Sequence, residues 1–363
     1  MQVKDDAALL KMMMEDLKKA PELYRPTNYW QCYEEKFAAE LFKVGLHDFR
    51  RRNNSVLSSF AGTDLAEKYA IDLLASRLFN NRYTRLIPFW HKFLSFWNSI
   101  LNKLLPITTP YNITTEDIQH LAYSVARLKA EKTNAKPIDQ FDTSLAGNPE
   151  DVFVINDKAY TTHHFDYYLN YVYCTKFLDF SKVKLFVELG SGAGRQIEVL
   201  KKLYPQMTFC LYDIPPQIYV CEQYLSSVFP GQVVSYRQTR GMKTVPSGDG
   251  KIYIFGSWDF EMVKNMPVDL FWNCASFQEM EPEIVANYLS FVNKSAANVF
   301  LLEATRGQHV AKQKGEPGVL RKTTFDDYKQ GLKDFKLVDL SPVVSIPKMH
   351  SENDHSISFW KKS

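Results

Sequence analysis

Apolar and polar positions change rhythm about halfway along the chain. Up to about residue 135 they follow a helical repeat, broken at Pro21, Pro26, Gly45, Gly62, Pro88, Pro106 and Pro110, residue types that stop or turn helices. In ITTEDIQHLAYSVARLKAEKTNA, Thr114 or Thr115 can cap a helix whose first turn holds Glu116 and Asp117. Ile118, Leu121, Val125 and Leu128 form its apolar stripe. In LIPFWHKFLSFWNSILNKLLP (86–106), Phe89, Phe93, Trp97, Ile100 and Leu104 recur at helical spacing. His91, Lys92, Asn98, Asn102 and Lys103 interrupt that run, so the reading is a core-facing or partner-facing helix and not a membrane span. KPIDQFDTSLAGNPED (136–151) reads as a linker or loop, and VFVINDKAYTTHHFDYYLNYVYCTKFLDF as a short strand followed by a helix.

From about residue 184 strands and helices alternate. LFVEL, TFCLYDI, VVSYRQ, IYIFG, VDLFWNCAS, NVFLLEA, KLVDLSPVVSI and SISFWKK read as strands. RQIEVLKKLYP, PPQIYVCEQYLSSVFP, PEIVANYLSFVNKS and TTFDDYKQGLKDF read as helices. Short apolar strands separated by helices imply an α/β fold with a mostly parallel, doubly wound, Rossmann-like sheet. The change of rhythm predicts two units: a helical accessory domain at 1–150, acting as a lid or a dimerisation arm, and an α/β domain at 151–363.

The first strand–helix junction of the second half, LFVELGSGAGRQIEVL, carries Gly190, Gly192 and Gly194. A bare turn at the carboxyl end of a strand in such a sheet is a ligand site. Dinucleotide pyrophosphate and S-adenosylmethionine (SAM) are the two ligands that this pattern accommodates. A dinucleotide fingerprint needs its third glycine where Arg195 stands. Glu188, two residues before the first glycine, would repel a pyrophosphate but attract an ammonium and a sulfonium. Asp213 ends the next strand, 19 residues beyond Gly194, where a carboxylate can grip both ribose hydroxyls. The pattern therefore reads as a SAM site of Glu188, Gly190, Ser191, Gly192, Gly194, Asp213, Ile214, Asn273 and Ala275. In FGSWDF, Trp258 or Phe260 can stack on the adenine, and Asp259 can accept its exocyclic amine.

Composition narrows the function classes. A net charge of +3 on 363 residues gives no footprint for nucleic acid or a membrane surface. Five scattered cysteines without C-x-x-C spacing fit a reducing, cytoplasmic setting and no zinc site, and the charged N-terminus shows no secretory signal. Asp326 and Asp327 read as an ordinary first helical turn, so no metal is expected. Aromatic residues reach 14%; most belong in the core and some can line a pocket.

With VELGSGAGRQ, Asp213 and its spacing in place, residues 184–363 resemble the class I SAM-dependent methyltransferases. That resemblance implies a seven-stranded, mostly parallel sheet whose last, antiparallel strand, SISFWKK, is inserted. DIPP after the second strand looks like the DLP of small-molecule O-methyltransferases with a helical accessory domain. TNYWQCYEEK, YLSSVFP and SFQEM look like the sugar O-methyltransferase family of bacterial polysaccharide gene clusters. The resemblance implies an acceptor that is a sugar, sugar nucleotide or glycan precursor, and a homodimer is compatible with it.

Methyl transfer to a hydroxyl needs a group that removes its proton. In the O-methyltransferases that the chain resembles, a histidine–acidic pair follows the fourth strand; here Gln278 and Glu279 stand there, so the histidine is missing. Glu279 is the first choice for general base or orienter, set against a plain charge at a helix start. His163 is the second choice; His309, His350 and His355 are weaker. Lys312, Lys314, Arg321 and Lys322, after the fifth strand, can meet acceptor phosphates or form a solvated loop. A catalytically silent SAM-binding scaffold and an NAD-dependent oxidoreductase are the competing readings.

Overall fold

A computed structural model describes residues 3–51, 87–104, 114–343 and 355–363. Its centre is one eight-stranded sheet in the order β5-β6-β4-β3-β7-β8-β10-β9. These strands are β3 (Leu185–Leu189), β4 (Thr208–Asp213), β5 (Val233–Val234), β6 (Ile252–Gly256), β7 (Val268–Cys274), β8 (Ala296–Ala304), β9 (Phe335–Pro342) and β10 (His355–Lys362). Strands β3 to β8 pair in parallel, while β10 runs antiparallel between β8 and β9. This is the class I methyltransferase fold: seven strands with the last one inserted and reversed, here extended by the two-residue β5 at one edge.

VVSYRQ departs from its expected strand. Only Val233–Val234 is extended; Ser235 then caps a short helix, Tyr236–Thr239, through a reciprocal capping box with Gln238. The S-x-x-Q spacing satisfies two amide donors that a strand would leave to a neighbour. Ahead of the sheet, β1 (Val152–Ile155) and β2 (Lys158–Thr161) form a hairpin where one strand was expected. Asn156 and Asp157, both at positive φ, make its tight turn.

All five residues of β3 are buried, as both faces of a parallel sheet covered by helices require. One face packs Phe186, Phe209, Trp272 and Phe300 against α6 (His164–Cys174), α7 (Arg195–Leu203) and α8 (Pro215–Val228). The other packs Val187, Tyr212, Phe255 and Phe271 against the helix Pro282–Ser295.

The N-terminal helices lie on this body. Leu9, Leu10 and Met13 of α1 (Ala7–Lys19) join the first core, each worth about 1.5–3 kcal/mol of burial. Asp6 and Asp16 pair with Arg237 and Arg240 across the interface. The segment 136–151 is tied down as well: Ser144 N donates to Glu198 Oε1 (2.6 Å), and Thr143 N to the Ala159 carbonyl (2.7 Å). Glu198, fully buried, also meets His164 Nε2 (2.7 Å), Lys202 Nζ (2.8 Å) and the Tyr224 hydroxyl.

Two expected stripes are not wholly the buried faces, although Ile118 is buried as expected. In α5 (Thr115–Ala130), Ile118, Ala122, Tyr123 and Ala126 are buried while Leu121 and Leu128 are exposed. Small alanines let this helix approach α6 closely. In α4 (Ile87–Leu104), Leu94 and Asn98 are buried, and Phe93, Trp97 and Leu104 are exposed. No described helix is long and apolar enough to cross a membrane.

Candidate active site

The strand order reverses between β3 and β7, and the crevice at their carboxyl ends holds the glycine turn. All three glycines have positive φ, but for different reasons. A Cβ on Gly190 would strike the Ser276 side chain, and one on Gly194 would strike Cys221 and Leu225. A Cβ on Gly192 would meet nothing within 4 Å. Two glycines therefore admit packed neighbours, and the middle one leaves its space to whatever binds. The turn is pinned to β4, because Gly192 N and Ile214 N donate to the two carboxylate oxygens of Asp213 at 2.8 Å each.

The turn opens on a cavity of about 520 Å³, within the range of small-molecule sites. Its floor is Gly190, Gly192, Asp213 and Gln217; one wall is Cys274, Ala275, Ser276 and Glu279. Carboxylates dominate its electrostatics. Burial raises Asp213 to about 7 against the pull of its two amide donors. Burial, then the charge of Asp213, pushes Glu188 well above the ordinary carboxylate range. Glu188 Oε2 and Ser191 Oγ are buried without a hydrogen-bond partner among the described residues.

The wall is built by the turn after β7. Ala275 sits at φ 56°, a conformation that strains a residue with a side chain. Asn273 holds it by donating to the Leu189 carbonyl (2.7 Å) and accepting from Phe277 N (3.1 Å). Asn273 thus stitches β3 to the loop and does not itself line the cavity. Gln278, at the position of the expected histidine, points away: its Oε1 accepts from Ala304 N (2.6 Å). Glu279 faces in, half-buried. Burial drives its pKa up to about 8, the charge of Asp213 adds to this, and hydrogen bonds from Trp30 and Tyr29 oppose it.

The roof comes from the far end of the sequence. Trp30 Nε1 donates to Glu279 Oε2 at 2.9 Å, and Thr27 Oγ1 donates to the Glu279 carbonyl at 2.8 Å. Tyr29, Trp30, Tyr33, Lys36 and Phe37 complete the cavity from α2 (Asn28–Gln31), α3 (Glu34–Val44) and the turn between them. Asn28 Nδ2 donates to the Glu316 and Gly318 carbonyls, so the strap is also tied to the loop after β8. An adjoining hollow of about 40 Å³ lies between the strap and Ile214, Ser257, Met280 and Tyr288. The expected lid at 1–150 named no individual roof residue, and Gln217 was not among the expected site residues. The aromatic spacing of NYWQCYEEKF was the available signal.

Other expected residues lie elsewhere. Trp258 and Asp259 line a separate hollow of about 300 Å³ beside Asp16 and Arg240, and Trp258 packs edge-on to Tyr236. Phe260 is buried in the second core. His163 contacts Asp166 and the Tyr167 hydroxyl, and does not line the cavity. His309 Nε2 contacts the Pro317 carbonyl (3.0 Å), His355 opens β10, and His350 falls outside the described residues. Arg321 pairs with Glu283, and Asp327 closes a capping box with Thr324. Among the described residues no cluster of histidine, cysteine or acidic side chains is arranged to hold a metal.

Residues 165–266, which include α6, the glycine turn and Asp213, match the family profile of an O-methyltransferase domain. Over that stretch the chain is similar to O-methyltransferase domains. Solved methyltransferase structures resemble it in part. The pyocyanin biosynthetic protein PhzM is 14% identical, with 52% of this chain and 53% of that chain covered and a TM-score of 0.36. The mitomycin 7-O-methyltransferase MmcR is 13% identical, with 51% of each chain covered and a TM-score of 0.34. The magnesium protoporphyrin IX methyltransferase ChlM from Synechocystis PCC 6803, solved with bound SAM, is 10% identical, with 56% and 81% covered and a TM-score of 0.38. The chain thus spans about half the length of PhzM and MmcR. No curated protein matches the sequence. The cavity fits SAM on its own terms: open space over Gly192, unsatisfied polar atoms on Glu188 and Ser191, and carboxylates to face a sulfonium.

Proposed function

We propose that the protein methylates a hydroxyl of a small acceptor with SAM, and that the acceptor is a sugar or glycan precursor. The observation that carries this reading is Glu279, a carboxylate held by Trp30 in the wall of a cavity whose floor is the glycine turn and Asp213. Asp213 takes the ribose hydroxyls, Ile214 flanks the adenine, and Glu188 and Ser191 serve the amino-acid end. When bound, the cofactor supplies an electrophilic methyl carbon on a positively charged sulfur. Glu279 accepts the acceptor hydroxyl's proton, so that the oxygen can bond to that carbon as its bond to sulfur breaks. Tyr29, Trp30 and Tyr33 offer flat faces to the C–H edges of a sugar ring, and with Phe37 they exclude water. In this reading residues 1–150 cover a catalytic domain at 151–363, and Asn273 positions Glu279 without touching the cofactor. The scattered thiols support a cytoplasmic setting.

Incubating the full chain with methyl-labelled SAM, nucleotide sugars and hydroxylated aromatic acids tests the proposal. Label is expected in the sugar fraction. Label only in the aromatic acids overturns the sugar assignment. No label in any acceptor, with SAM still bound, leaves a silent cofactor-binding protein.

A further inference from the structure

SAM carries one anionic group, the α-carboxylate of its amino-acid end. The cavity assigned to it is lined by the carboxylates of Asp213 and Glu279, with Glu188 buried nearby. An anion entering this field needs a cation or strong donors close by. Among the lining residues the one cation is Lys36, exposed on α3 and forming no ion pair among the described residues.

Gln217 supplies the donors. Its side chain is 2% exposed, lines the cavity, and both its amide atoms lack a hydrogen-bond partner among the described residues. A buried primary amide with nothing to bond is costly, about 1–3 kcal/mol, unless a ligand completes it. Its place adds a field: α8 begins Pro215-Pro216-Gln217, and neither proline has an N–H to offer at the positive end of the helix. The Gln217 side chain adds a donor at that end, beside its own backbone N–H. One turn further along the same face, Cys221 abuts Gly194, so this face of α8 looks onto the glycine turn. Helix α3, which carries Lys36, packs on α8.

We propose that Gln217 and Lys36 form the receptor for the α-carboxylate of the cofactor, closed from below by α8 and from above by α3. This rests on the SAM reading of the site. It gives the N-terminal layer a cofactor contact of its own, separate from its hold on Glu279.

Calorimetric titration of the full chain with S-adenosylhomocysteine and with 5′-methylthioadenosine, which lacks the amino-acid end, tests it. Q217L is expected to weaken S-adenosylhomocysteine about tenfold, the scale of a hydrogen bond to a charge. K36M, at an exposed position, should weaken it about threefold. Methylthioadenosine should bind all variants within about twofold of the wild type, which also shows that they are folded. Q217E, nearly isosteric, should weaken S-adenosylhomocysteine more than Q217L does, by like-charge repulsion. Equal losses for both ligands, or an unchanged S-adenosylhomocysteine affinity in Q217L, overturn the proposal. So does a K36M that only raises the acceptor KM. A wild type that binds neither ligand defeats the SAM reading first, and this inference with it.

Discussion

Removing the Trp30 indole N–H is the most direct perturbation of the site, because it deletes a donor that acts on the proton affinity of Glu279. Trp30→Phe keeps an aromatic ring in the roof and deletes the 2.9 Å hydrogen bond to Oε2. That bond favours the ionised carboxylate, and with Tyr29 it works against burial and Asp213, which together hold the pKa near 8. A hydrogen bond to a charged group is worth about 1.5–3 kcal/mol, and the half-buried setting argues for the lower end. At about 1.4 kcal/mol per unit, the pKa should rise by about one unit. The sign follows from the role: a general base works when deprotonated, so activity climbs as pH rises through its pKa. The variant's kcat/KM profile should therefore be displaced by about one unit to higher pH. It should be about tenfold slower than wild type near pH 7 and approach wild type above pH 9. The assay is initial-rate methyl transfer from pH 6 to 10 with the best acceptor found. A uniform loss at every pH would mean that Trp30 shapes the acceptor pocket and does not tune a base. An unmoved profile would remove Glu279 from the chemistry.

Glu279→Gln should lower kcat by about 10²–10⁴ and abolish the limb near pH 8 while leaving S-adenosylhomocysteine affinity within a few-fold, read by the same rate assay and by calorimetry. Glu188→Gln should raise the thermal midpoint of the ligand-free protein at pH 8 and weaken SAM binding. A carboxyl whose folded pKa is raised favours folding below its unfolded pKa and loses that contribution as pH rises, so the gain should shrink towards pH 4. Glu198→Ala should destabilise by about 3–5 kcal/mol in urea titration, since it removes the buried carboxylate that His164, Lys202 and Ser144 N share. Burial alone would raise Glu198, but His164, Lys202 and Arg50 together hold it well below the ordinary range. Its contribution is present above the unfolded carboxylate pKa, so the gap between wild type and variant should narrow as pH falls below about 4.

Local chemistry made half of this molecule legible in its sequence. Strands β3, β4, β6, β7 and β8 are runs of residues that fit a sheet buried on both faces, and each is followed by polar or proline punctuation that starts a turn or helix. Gly190, Gly192, Gly194 and Asp213 could be paired in advance because their spacing reflects one βαβ unit, in which sequence distance fixes spatial distance. Where a choice depended on an unseen neighbour, the pattern misled. Leu121 and Leu128 look like the buried stripe of their helix, yet the close approach of α6 selected Ala122 and Ala126. Trp258 follows β6 as an adenine-stacking residue would, but its ring packs on Tyr236 and lines a hollow beside α1.

The roof was out of reach for a different reason. Trp30 and Glu279 are 249 residues apart, and no periodicity within either segment encodes their meeting. What unites them is the strap, fixed at several points: Tyr24 to Ser257, Thr27 to Glu279, and Asn28 to the loop 315–318. Each bond is modest alone, about 0.5–1.5 kcal/mol. They share one short segment, so loss of one frees the others to fray together. The strap also covers the narrow hollow beside Ile214. If adenosine occupies that hollow, any displacement of residues 24–30 on its entry carries the Trp30 indole away from or towards Glu279. Such a displacement would couple cofactor binding to the proton affinity of Glu279 through a single piece of chain. If that coupling operates, saturating S-adenosylhomocysteine should shift the protonation of Glu279 in the wild type and shift it less in Trp30→Phe, as read from proton uptake or release on binding in buffers of different ionisation heat. Equal proton exchange in the two proteins would separate the roof from the cofactor and leave the strap a passive cover.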